Sequence, residues 1–220
     1  MSPERPVRPA HTLSLMLGIT LAGLGIDLLM HDAVSEIFRE GHSVEAISAV
    51  ILVAAAFWAF RNRGLARREW HIPVILILMA LRELDLDKRF TSEGVLQLRL
   101  YTGSAPLWEK AAGLAVVMLI LVCITRLAWL NLPRLWRGLQ QGARSAWLAT
   151  GAALLIVIAK SMDGLDRKLA PLGVTLTTEM STMAGRLEEM LELAAYIMLA
   201  QATVYIARPH GLVRQRGPAA

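Results

Sequence analysis

The sequence predicts an all-α fold: a polytopic integral membrane protein built as a six-transmembrane-helix bundle with both termini cytoplasmic. Three observations carry that prediction. The first is composition, since 55% of the 220 residues are hydrophobic, 19% are charged and the mean hydropathy is +0.47; a soluble domain of this length is far less apolar. The second is a succession of six apolar runs, each separated by a short charged segment. The third is the sorting of charge between those segments. Thirteen of the 23 basic residues, among them Arg5, Arg61, Arg67, Arg68, Arg126, Arg134, Arg137 and Arg208, fall in alternate segments with only Glu4 and Glu69 for company. The other segments hold nearly all the acids, so the positive-inside rule places the arginine-rich segments and both termini in the cytoplasm of a bacterial-type inner membrane.

Residues 1–11, with three prolines and two arginines, read as a cytoplasmic leader, and residues 12–207 as one transmembrane domain with helices at about 12–36, 43–61, 71–89, 108–130, 145–166 and 183–207. The first apolar run, Thr12 to Met30, is long and lacks an A-x-A cleavage site, which identifies an uncleaved helix. Gly18, Ala22 and Gly25 form a small-residue stripe suited to close packing, and Asp27 and His31 sit one turn apart near the outer end. The second helix carries Ser48, Ala55 and Ala59 near one face and ends in an arginine-rich turn. The third has an uncharged run of only about half the ~20 residues a span needs. It is therefore expected to continue through Arg82, Glu83 and Asp87, with Asp85 turned away.

In the external loop after it, Leu96, Leu98 and Leu100 alternate with polar residues, a strand-like pattern that pairs in composition with Val174 to Thr177 of the other long external loop. The fourth helix opens with Trp108, and Leu132 to Leu139 beyond it reads as a separate interfacial helix on the anionic leaflet. The fifth carries Lys160, Asp163 and Arg167 at i, i+3 and i+7. The sixth places Glu188, Glu189 and Glu192 on one face in its first turns, with Tyr196 continuing that face. Residues 208–220 form a basic cytoplasmic tail. His42 and His71 sit at interfaces and are expected to be exposed.

Aligned in one bilayer, the ionisable residues form a layer about 6 to 15 Å inside the outer ends of their helices, at 1.5 Å per residue. Its acids are Asp27, Glu83, Asp87, Asp163, Glu188, Glu189 and Glu192, its bases Arg82 and Lys160, and His31 lies beside Asp27. Charge within hydrocarbon is expensive and defaults to function. The expectation is an acidic, outward-facing cavity that binds, and carries across the membrane, a proton or a metal cation. Asp27, His31, Glu83, Asp87, Asp163, Glu188, Glu189 and Glu192 are the candidate ligands of a divalent metal, and Arg82 and Lys160 the internal counter-charges.

Two other classes stay open. One is an enzyme acting on a lipid headgroup, with one carboxylate as general base and Arg82 and Lys160 holding phosphate. The other is a structural or partner-binding subunit in which Lys160 pairs with Glu189 or Glu192, Arg82 with Glu188 or Asp27, and Arg167 with Asp163. Zinc-hydrolase and di-iron signatures are missing, the lone Cys123 excludes a disulfide framework, and the basic residues lack the clustering a nucleic-acid groove requires.

Overall fold

A computed structural model describes residues 9–30 and 43–206. The described chain is helical, with no strand. The helices are α1 (Pro9–Met30), α2 (Ser43–Arg61), α3 (Arg63–Arg68), α4 (His71–Glu83), α5 (Leu86–Phe90), α6 (Leu98–Thr102), α7 (Leu107–Gln140), α8 (Arg144–Met162), α9 (Leu165–Leu169) and α10 (Thr178–Ile206), with a 3-10 turn at Ala170–Leu172. Five of them, α1, α2, α7, α8 and α10, are long and apolar enough to cross a membrane. Helix α4 is not. Its 13 residues rise about 20 Å, against a hydrocarbon core about 30 Å thick.

The reason lies in the residues just beyond Glu83. The third helix does not run on to residue 89; it stops, Leu84 and Asp85 form a turn, and a second short helix begins at Leu86. Asp85 adopts φ +48°, a left-handed conformation that aspartate tolerates better than most residues because its short side chain bonds locally. Its carboxylate meets Lys88 Nζ at 2.7 Å. Continuing the helix would have required Arg82, Glu83, Asp85 and Asp87 to be accommodated within two turns at membrane depth, one of them facing lipid.

The expected strand pair is also replaced by helix. Leu98–Thr102 is a helical turn whose Leu100 is fully buried, and Val174 to Thr177 is irregular. The interfacial helix expected at Leu132 to Leu139 is the continuation of α7, which passes through Pro133 without ending. One proline removes one backbone bond, and the side chains around it tie this stretch to the rest of the fold. Asn131 Nδ2 donates to Glu69 Oε2 at 3.2 Å, Arg134 pairs with Glu69 Oε1, and Asn131 Oδ1 lies 3.0 Å from His71 Nε2. His71 is consequently buried, not exposed. Arg126 packs over the Trp70 ring and donates to the Arg68 carbonyl, completing a polar knot at the arginine-bearing end.

Neighbouring spans run in opposite directions. Thr12 and Gln201 bond at 3.3 Å, which sets the start of α1 beside the end of α10. The beginnings of α1, α4 and α8 and the ends of α2, α7 and α10 therefore share the arginine-bearing end, and the carboxylates gather at the other. The core lies between α2, α4, α8 and α10, around Ile51, Leu52, Leu76, Ala80, Leu193, Tyr196 and Ala200.

Small residues dominate the buried surface, including Ala55, Ala56, Ala59, Ala152, Ala159 and Ala195. Lipid tails are as apolar as leucine, so helices associate through close approach of backbones, which alanine and glycine allow. Ser48, Ala55 and Ala59 of α2 do lie in this interface. The α1 stripe does not: a Cβ added at Gly18 or Gly25 would meet nothing, whereas Gly23 abuts the Ile47 side chain.

The α8–α10 pair is the most extensive helix contact and should be the most sensitive to bulk. Gly151→Ala presses only on the flexible end of the Met198 side chain and should leave the melting temperature in detergent within a degree or two of wild type. Ala195→Phe, at a fully buried site, should lower it by several degrees, in line with about 1–3 kcal/mol of overpacking.

Candidate functional site

At the carboxylate end the bundle encloses a cavity of about 340 Å³. Four helices build it. The start of α2 contributes Val44, Glu45 and Ser48; the end of α4 and its turn contribute Arg82, Glu83 and Asp85; the end of α8 and the residue after it contribute Lys160 and Asp163; and the N-terminal half of α10 contributes Thr182, Gly185, Arg186, Glu188, Glu189 and Glu192. Seven carboxylates thus face three cations.

The α10 contribution follows from helical spacing. Glu188 and Glu192 are one turn apart, so their carboxylates reach the same neighbour. That neighbour is Lys160, whose Nζ lies 3.0 Å from Glu188 Oε1 and 2.6 Å from Glu192 Oε1. Both glutamate side chains are largely withdrawn from solvent while the lysine is one-third exposed, so the ammonium closes over the pair from the cavity side. The expected alternative partner, Glu189, lines the cavity beside them. The pairing of Arg82 with Glu188 is pre-empted by Lys160, and Arg82 projects toward the cavity instead.

One turn below Glu192, Tyr196 is buried and its hydroxyl donates to Glu83 Oε1 at 2.8 Å. Burying a phenol demands a partner for its proton; here that partner is a carboxylate on a different helix. The contact links α10 to the last turn of α4, and it makes Tyr196 more than packing.

The sequence-identified residues separate into three groups. Glu83, Asp163, Glu188, Glu189, Glu192, Arg82 and Lys160 converge on the cavity. His31, and the side chains of Asp27 and Asp87, lie outside the described residues. Asp85, expected to turn away, lines the cavity because the chain reverses there. Asp163 and Arg167 do not pair: α8 ends at Met162 and Gly164 turns left-handed, so the i, i+4 relation a continuous helix would create is lost. Glu45, Ser48 and Arg186 line the cavity as well, beyond the residues expected there. Glu45, an acid at the start of an apolar helix, carries the same sequence signal as the acids of α10.

Chemically, the arrangement is an oxygen-rich recess with one shared lysine. Among the described residues, no three histidine, cysteine, aspartate or glutamate side chains approach as a metal-binding group would. The carboxylates are distributed around the walls, and Lys160, Tyr196 and Lys88 engage several of them. No protein-family model matches the sequence, and comparison with characterised proteins and with solved structures returned no match.

Removing the shared cation should expose how far the fold leans on it. Lys160→Met leaves Glu188 and Glu192 facing each other and should cost about 3 kcal/mol in denaturant titrations, the low end for a broken buried pair because the lysine is partly exposed. Adding Glu188→Gln and Glu192→Gln to that variant should recover most of the loss. A triple variant as unstable as the single one would show that the charges are not what the lysine stabilises.

Proposed function

We propose that this is a six-span inner-membrane protein whose acidic cavity opens to the outer face and takes up a cation, foremost a proton, for passage across the bilayer. The orientation rests on the arginine-bearing end, which the positive-inside rule assigns to the cytoplasm. In this reading α4, with the turn and short helices after it, makes the sixth crossing.

The observation that carries the proposal is the Tyr196–Glu83 hydrogen bond within a cavity of excess negative charge. Glu188 and Glu192 share an ammonium, whereas Glu83 is bonded by a neutral phenol, which leaves its charge for a mobile cation to cancel. A proton is the favoured cargo because, among the described residues, the dispersed carboxylates do not form the multidentate oxygen set a divalent metal needs. Tyr196 donates to the ionised form of Glu83, and after proton uptake the second carboxyl oxygen carries the proton while the first still accepts the tyrosine bond. Lys160 screens the neighbouring pair, so that Glu83 changes charge without confronting three anions together.

Proteoliposomes holding a trapped pH-sensitive dye test this directly. Wild type should acidify its lumen under an imposed pH gradient, Glu83→Gln should abolish the response, and Glu192→Gln should also suppress it with the fold intact. Uptake by Glu83→Gln at the wild-type rate would overturn the assignment, as would a wild type inert to gradients of protons, alkali ions and Mg²⁺.

A further inference from the structure

The short span leaves a length of chain to be accounted for, and the packing of that chain shows where it lies. His71 near the start of α4 is level with Asn131 of α7, 3.0 Å away. Glu83 lies 12 residues farther along α4, about 18 Å. The same distance traced back along the antiparallel α7 ends still 12 residues inside its first residue, Leu107. The chain therefore leaves α4 well below the level at which α7 begins.

The segment in between does not stand above the bundle. A Cβ at Gly113 would sit 2.9 Å from Leu100 Cδ2 and 2.8 Å from Tyr101 Oη, which places α6 beside the second turn of α7. Glu109, in the first turn, accepts from both the backbone N–H and the hydroxyl of Ser92, at 2.8 and 2.7 Å. The Tyr101 hydroxyl donates to the Val95 carbonyl at 2.6 Å. The Ser92 N–H and the Val95 carbonyl, between helices α5 and α6, are thus met by side chains, as irregular chain at membrane depth requires.

Large apolar side chains of this segment lie uncovered. Phe90, Leu96 and Leu98 are 70, 62 and 75% exposed, and Leu107 and Trp108, at the start of the membrane-length helix against which α6 packs, are 82 and 62% exposed. Such a patch in water would be costly; beside a lipid-facing helix it has a partner.

We propose that residues 86–102 form a belt sunk into the leaflet at the carboxylate end, with Phe90, Leu96 and Leu98 among the acyl chains. The exposed Arg89, and Arg99, whose Nε pairs with Glu93 at 3.2 Å while the rest of its side chain stays exposed, lie toward the headgroups, as long cationic side chains on interfacial segments do. The proposal holds whatever the cavity binds.

The test uses the full chain in phosphatidylcholine–phosphatidylglycerol vesicles. Cys123, the only cysteine, is replaced by alanine, and nitroxide labels are placed at Leu96→Cys, at Leu98→Cys and, as an aqueous reference, at Ser104→Cys. All three side chains are exposed, so labelling leaves the packing unchanged, and elution and melting profiles verify this. Collisions with oxygen should dominate at 96 and 98, with depths of about 5–10 Å, and collisions with a water-soluble nickel chelate should dominate at 104. Nickel-dominated collisions at 96 and 98 would put the segment in water and overturn the proposal. Exclusion of both reagents there would show the face covered by protein, with the same consequence.

Discussion

The sharing of one ammonium between two carboxylates inside a helical hairpin is the constraint from which the rest of the carboxylate end follows. Lys160 and the Glu188–Glu192 pair sit on the two helices with the most extensive contact in the molecule, and each charge is tolerable at that depth only because the others are there. Below this level α8 and α10 bury Ala152, Ala159 and Ala195, and at it Lys160, Glu188 and Glu192 line the cavity. Glu83 and Tyr196 then tie α4 to α10.

The arginine-bearing end solves a similar problem differently. Glu69 is buried and satisfied by Arg134 and Asn131, His71 completes the network, and Arg126 lies over Trp70. There the cations outnumber the acid; at the other end the acids outnumber the cations and surround a recess. The apolar layer between them, Leu52, Leu76, Ala80 and Ala200, separates the two polar ends.

Membrane class, helix content and the gathering of acids at one end are legible in the sequence because they depend on composition and period. Hydrophobic runs of span length have few alternative structures in a bilayer, and i, i+4 spacing sets Glu188 beside Glu192 whatever lies opposite. Features that depend on which neighbour arrives first are not legible. Lys160 meets Glu188 together with Glu192, and no local pattern reports how α10 is rotated against α8. His71 reads as an interfacial histidine until Asn131, 60 residues away, covers it. The end of α4 at Glu83 escapes the sequence for a related reason: apolar length argues for continuation, but a single aspartate in a left-handed conformation is enough to break the helix. Leu96, Leu98 and Leu100 alternate as a strand would, yet Leu100 alone finds a partner in α7, and one buried contact outweighs a three-residue pattern.

That broken helix has a volumetric meaning. If α4 makes the sixth crossing, a helix about 10 Å across that stops about 10 Å short of the far side of the bilayer leaves roughly 800 Å³ of its column unfilled. The recess of about 340 Å³ bordered by Arg82, Glu83 and Asp85 occupies the same order of space. In the proposed six-span arrangement the site is then not carved into a complete bundle by bulky or repelling side chains; it takes the place of two turns of one helix, and the neighbouring helices need only supply polar residues at that level.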